Sequence, residues 1–264
     1  MRGNATLSFR AVLAALGLLL SSTLAGAQPG TQPIDPTHYW TYQSLEALVF
    51  PQPILVQDQF FRQPVPVTVD SLVRLLNWVH KNNSAVPDTF LHYTWWNIVD
   101  KLPVNKRATV TNQFGSFPVQ ILNLEFLLAP ATKNQPATGA IPQANHYLCY
   151  RATGFPGPTT AFDIQDEWKV DIQVPKDMEF LCTPCLKIHN GQIFPPADTV
   201  THFAVYPVSP QSGNFVPFVN DQFMARQLFV RQSPPEYLFV PSTKVEIPTD
   251  VKRSTWGRLK QLYR

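Results

Sequence analysis

Val110-Thr111-Asn112-Gln113-Phe114 is the stretch that decides the fold, because the chain keeps returning to it. The same phrase reads Gln57-Asp58-Gln59-Phe60 upstream, Asp166-Glu167-Trp168 downstream, and Asn220-Asp221-Gln222-Phe223 near the end. The steps from Asp58 to Asn112 to Asp166 to Asp221 are 54, 54 and 55 residues. About twenty residues before each copy stands a histidine followed by an aromatic: His38-Tyr39, His92-Tyr93, His146-Tyr147 and His202-Phe203. Four residues after each histidine comes another aromatic: Tyr42, Trp96, Tyr150 and Tyr206. Behind each phrase runs a Leu/Phe-rich stretch closing on Lys81, Lys133, Lys187 or Lys244. A fixed period of this size is the signature of a repeat architecture. The reading is four tandem copies of one unit of about 54 residues.

Composition says what the units are made of. Aromatics at 12% with frequent Val and Thr favour strands, and 26 prolines against 11 glycines forbid long helices. Short strands divided by proline-bearing turns predict an all-β fold. A unit of this length cannot bury a core alone, so neighbours must pack on each other. Each unit is short of four good strands, so the expected closure pairs the units into two β-sandwiches or barrels. The alternative is a four-bladed propeller-like ring. One stretch, Val69 to Trp78, also reads as a short helix capped by Asp70 or Ser71.

The expected organisation follows the period. Residues 1–27 read as a secretory signal, with Arg2 and Arg10 at the positive end, Ala11 to Leu20 as the apolar stretch and Ala25-Gly26-Ala27 as the cleavage site. Residues 28–37 form a proline-rich leader, 38–133 the first two repeats, 134–145 a linker, 146–244 the last two repeats, and 245–264 a basic tail. No stretch has the eighteen or so apolar residues of a membrane-spanning helix. The expectation is a secreted, periplasmic or cell-surface protein without a transmembrane segment. Net charge is +3, yet the signal and residues 251–264 hold seven of the 21 bases, leaving 14 against 18 acids in the body. A nucleic-acid partner needs its positive charge on a folded face, so none is expected.

Recurrence separates folding residues from catalytic ones, because a catalytic residue normally appears once. Asp58, Asn112, Asp166 and Asp221 are expected to hydrogen-bond the backbone two residues on and so make a turn. Phe60, Phe114, Trp168 and Phe223 would anchor that turn in the core. His38, His92, His146 and His202 are pseudo-equivalent and invite a metal reading. None has a second ligand at i+2 or i+4 or a neighbouring carboxylate, so no metal or other cofactor is expected. Cys182-Thr183-Pro184-Cys185 has thiol-oxidoreductase spacing, but it ends a strand-like run instead of opening a helix. The reading favours a Cys149–Cys182 disulfide, with Cys182–Cys185 as the alternative and one thiol left over. Nucleophile-elbow, zinc-protease, phosphate-loop and dinucleotide motifs are missing from the sequence. Trp95 and Trp96 are candidates for a sugar-stacking platform.

His146-Tyr147-Leu148-Cys149-Tyr150, then Asp166-Glu167-Trp168, then Leu181-Cys182-Thr183-Pro184-Cys185-Leu186-Lys187 resembles a repeat of exported bacterial proteins. That family's pattern is His-x-x-Cys-Tyr, Asp-Gln-Phe, Leu-Cys-x-Pro-x-x-Lys, and it is a domain of unknown function. The resemblance implies export, a β-repeat fold and pairing of the cysteines matching Cys149 and Cys182; Cys185 departs from the pattern. Function is therefore expected to be that of a non-catalytic structural or binding module whose partner is another envelope protein or a polysaccharide. An exported enzyme, either a hydrolase or a thiol oxidoreductase using Cys182 and Cys185, and a carbohydrate-binding module are the alternatives.

Overall fold

The strands that begin at the recurring histidines have apolar residues on both of their faces, and that pattern sets the architecture. In His92–Ile98 all but one residue is buried, and all of His202–Val208 are. Such strands need packing partners on two sides. A computed structural model describes residues 37–46, 48–82, 88–135, 141–209, 213–232 and 236–247. The expected signal, nearly all of the leader, and the tail beyond Ile247 lie outside the described residues.

Residues 38–81 contain β1 (His38–Ser44), β2 (Val49–Gln57) and β3 (Val65–Lys81). Residues 92–133 contain β4 (His92–Ile98), β5 (Pro103–Asn112) and β6 (Gly115–Lys133). Then come β7 (His146–Thr153), β8 (Phe162–Gln165), β9 (Val170–Gln173), β10 (Phe180–His189) and β11 (Gln192–Phe194). The last are β12 (His202–Val208), β13 (Asn214–Phe215), β14 (Phe218–Asp221), β15 (Ala225–Gln227), β16 (Val230–Arg231) and β17 (Glu236–Glu246). All pairings are antiparallel, within one large sheet.

The all-β expectation holds, and among the described residues there is no helix. Val69 to Trp78, read from sequence as a short helix, is strand throughout. Its Leu75 and Leu76 point to opposite cores, and bulges against β4 absorb the irregular spacing that imitated a helical period.

Eight strands close a circuit of hydrogen-bonded pairs. β1 pairs with β3, β3 with β4, β4 with β6, and β6 with β7. β7 then pairs with β10, β10 with β12, β12 with β17, and β17 returns to β1. The other strands hang on its outside, so the sheet is not an even barrel.

Two cores follow from strand alternation. On one face Tyr39, Tyr93, Tyr147 and Phe203 form a ring of edge-on or tilted aromatic contacts. Its centroid spacings are 5.2 Å, 5.8 Å, 4.9 Å and 5.7 Å around the circle. On the opposite face lie Tyr42, Trp96, Tyr150 and Tyr206, three residues further on and therefore reversed in direction. This second face packs against the outer strands β2, β5, β8 and β14.

Candidate functional site

The recurring phrases sit on the outer core, and all four make the same local turn. The side-chain oxygen of Asp58 accepts the backbone N–H of Phe60 at 2.8 Å, and Asn112 that of Phe114 at 2.8 Å. Asp166 accepts from Trp168 at 2.8 Å and Asp221 from Phe223 at 2.7 Å. The second side-chain atom reaches far across the fold. Asp58 accepts from Tyr150 Oη at 2.8 Å and from Thr183, and Asp166 from Tyr42 Oη and from Asn77 Nδ2. Asp221 accepts from Trp96 Nε1 at 3.0 Å and Thr94 Oγ1 at 2.5 Å. Asn112 instead donates, to Tyr206 Oη at 2.9 Å and Ser242 Oγ at 3.1 Å. In each case the following aromatic meets the same tyrosine or tryptophan edge-on: Phe60–Tyr150, Phe114–Tyr206, Trp168–Tyr42 and Phe223–Trp96.

These contacts join residues 38–81 to residues 146–187 and residues 92–133 to residues 202–244, in both directions. Burial pushes the Asp58 and Asp221 carboxyls up, and the hydrogen bonds they accept pull them back. Both carboxyl oxygens of Asp58, and both of Asp221, are engaged by donors within the fold.

The lysines and histidines complete the pattern. Lys81, Lys133, Lys187 and Lys244 each place an amine 4.4 to 5.9 Å from the ring centre of Phe114, Trp168, Phe223 and Phe60 respectively. Gln113 bonds His38 at 2.8 Å, Gln222 bonds His146 at 2.8 Å and Gln59 bonds His202 at 3.0 Å. Glu167, the acid in that place, pairs with Lys133 instead. Burial lowers His92 and His146 to about 3, with Lys133 and Lys187 adding to the shift, and lowers His202 to about 4. These three histidines are neutral at physiological pH. Among the described residues no three His, Cys, Asp or Glu side chains are placed to share a metal ion.

Cys149 and Cys182 face each other across β7 and β10 and form a disulfide. Cys185 is free and buried, and burial raises its thiol well above the ordinary range. Cys182 and Cys185 are therefore not a dithiol pair, and Cys185 is held as the unreactive thiol. Trp95 and Trp96 are buried at 1% and 0% exposure, so neither offers a sugar-stacking face. Trp95 belongs to the inner core and Trp96 to the outer one.

What sequence reasoning missed is a cavity of about 620 Å³ beside β7 and β11. Pro142 and Ala144 form one wall, and Pro195, Pro196 and Ala197 the other. His146, Phe194 and Gln222 form its polar and aromatic floor. Buried Asn145 clamps the walls together: its Oδ1 accepts the N–H groups of Ala197 at 2.7 Å and Asp198 at 3.0 Å. Its Nδ2 donates to the carbonyl of Asp198. Both walls come from the polar, proline-bearing stretches between repeats, which lie outside the period. Two such stretches flanking the same repeat were the only available signal.

Among known families, one described as "Repeat of unknown function (DUF7450)" matches residues 92–240, more than half of the chain. The chain belongs to this family. The DUF7450 match starts at His92, so β1 to β3 lie outside it. Asp58 nonetheless makes the same Asx turn as Asn112, Asp166 and Asp221, and Lys81 the same ring contact as Lys133. No curated protein and no solved structure matches the chain.

Proposed function

We propose that this chain is a non-catalytic binding module of the cell envelope or extracellular space, built from four repeats of about 54 residues. The observation that carries the reading is the proline-walled cavity, a concave, largely apolar site of the size that small ligands occupy. The repeated polar residues support it by exclusion. Asp58, Asp166 and Asp221 are bonded inward on internal donors, leaving the recurring positions to hold the fold. Export is supported by the N-terminal apolar stretch and by a disulfide, which persists in oxidising compartments. The natural partner would be an envelope component that presents an apolar group.

The test is titration of the full mature chain with the uncharged dye Nile red, read by fluorescence. Saturable binding is expected, with at least tenfold loss in Ala197→Trp, whose indole fills the gap between the walls. A wild-type protein that gives no saturable signal, or an Ala197→Trp protein that binds unchanged, would sink the reading.

A further inference from the structure

Behind the cavity floor lies a group that the walls do not require. The amine of Lys187 is fully buried and has no hydrogen-bond partner. The three related lysines all have one: Lys81 bonds Gln113, Lys133 bonds Asn77 and Glu167, and Lys244 bonds Glu246. Lys187 Nζ instead lies between two rings, 4.8 Å from the centre of Phe194 and 4.6 Å from that of Phe223. Aromatic faces attract a cation but offer it no lone pair, so the cost of burying the amine is only partly offset. Phe194 is itself part of the cavity floor, and the His146 ring beside it is 5.4 Å away. An unsatisfied donor is thus one side chain away from an empty apolar space.

We propose that the cavity binds a small apolar monocarboxylate. Its hydrocarbon body would lie between the two proline walls and its carboxylate would reach the Lys187 amine past the Phe194 ring. This rests on the binding reading above and names the ligand class.

Charge and strand pairing both support it. Among the described residues that line the cavity none is acidic, so no lining carboxylate opposes an entering anion. The acid whose charge acts on Lys187 is Asp221, and its oxygens are occupied by Thr94, Trp96 and the N–H groups of Phe223 and Met224. Phe194 ends β11, a three-residue strand bonded to β10 alone among the described residues, so its ring turns aside without breaking a second ladder.

The other groups that face Lys187 are Cys185, His146 and His189. Burial raises the Cys185 thiol well above the ordinary range and lowers His146 to about 3, so neither carries charge near neutral pH, and burial with the Lys187 charge lowers His189. Burial lowers Lys187 to about 7, with Asp221 and Cys185 opposing the shift. A bound carboxylate favours the protonated amine, so binding strengthens below pH 7 and weakens above it.

The experiment is calorimetric titration of the full mature chain with octanoate and, separately, with octanol at pH 6. Octanoate should bind at least tenfold more tightly than octanol, and its affinity should fall at least tenfold between pH 6 and pH 9. Lys187→Met, which keeps an apolar stem in the same space, should bind the two alike. Equal affinities for the wild type, a flat pH profile, or a Lys187→Met protein that keeps the tenfold preference would overturn the ion pair. In those cases the cavity would still stand as an apolar site. Failure of both probes to bind would overturn the cavity reading as well.

Discussion

Asp58 shows how far a residue's role can be read from its neighbours. Its bond to the Phe60 N–H spans two residues and is legible in the sequence, because Asp and Asn favour that local turn. Its bond to Tyr150 spans 92 residues, and nothing in a local phrase says which tyrosine will arrive. The four positions also contain their own mutational experiment. Asn112 stands where the others have Asp, and it reverses the outer hydrogen bonds by donating to Tyr206 and Ser242. Tyr150 and Thr183 carry hydroxyls that can likewise accept. Asp58→Asn should therefore cost less than about 1 kcal/mol, since it also removes a buried charge. Asp58→Ala strips partners from Tyr150, Thr183 and the Phe60 N–H, and should cost roughly 3 kcal/mol. Urea unfolding of the two variants decides the matter. An asparagine as damaging as the alanine would mean that the negative charge itself holds this turn.

At the scale of strands, alternation explains both a success and an error. The histidine strands are readable because aromatics one and four residues after each histidine fall on opposite faces, which is what a strand between two cores requires. Val69 to Trp78 misleads because bulges at Leu72 disturb the period, and a disturbed period of two resembles one of 3.6. The cavity walls were illegible for a different reason: they have no periodicity, and Asn145 joins them through bonds that span more than fifty residues. The β7–β10 pair carries a second test. The disulfide closes a loop of 33 residues, and the chain-entropy model assigns a loop of that size about 3–4 kcal/mol. Cys149→Ala with Cys182→Ala should lower the denaturant midpoint accordingly. Non-reducing peptide mapping should recover Cys149 joined to Cys182 with Cys185 free. A Cys182–Cys185 peptide would contradict the geometry outright.

For the described fold as a whole, the period was legible but the closure was not. A repeat says that the units are alike, whereas the return of β17 to β1 depends on pairings between residues two hundred positions apart, such as Tyr39 with Phe239. That closure buries His92, His146 and His202 in their neutral forms, so stability should depend on pH with a definite sign. Their folded values, about 3, 3 and 4, lie below the ordinary 6.5 of the unfolded chain. The unfolded chain therefore takes up protons first as pH falls. The stabilisation they give is full above pH 6.5 and is lost as pH drops toward 4 for His202 and toward 3 for His92 and His146, at about 1.4 kcal/mol per unit for each histidine. Asp58 and Asp221 work the other way. Their raised values make the folded form the better proton acceptor, so their penalty eases as pH falls. Between pH 6.5 and 5 three histidines act against two acids that hydrogen bonds partly restore, so net stability should fall. Urea midpoints at pH 7.5, 6.5 and 5.5 measure this. His202→Gln, which keeps a side chain able to bond Gln59, should remove about a third of the histidine contribution to the slope. A midpoint that rises with acidification would show that the buried acids outweigh the histidines.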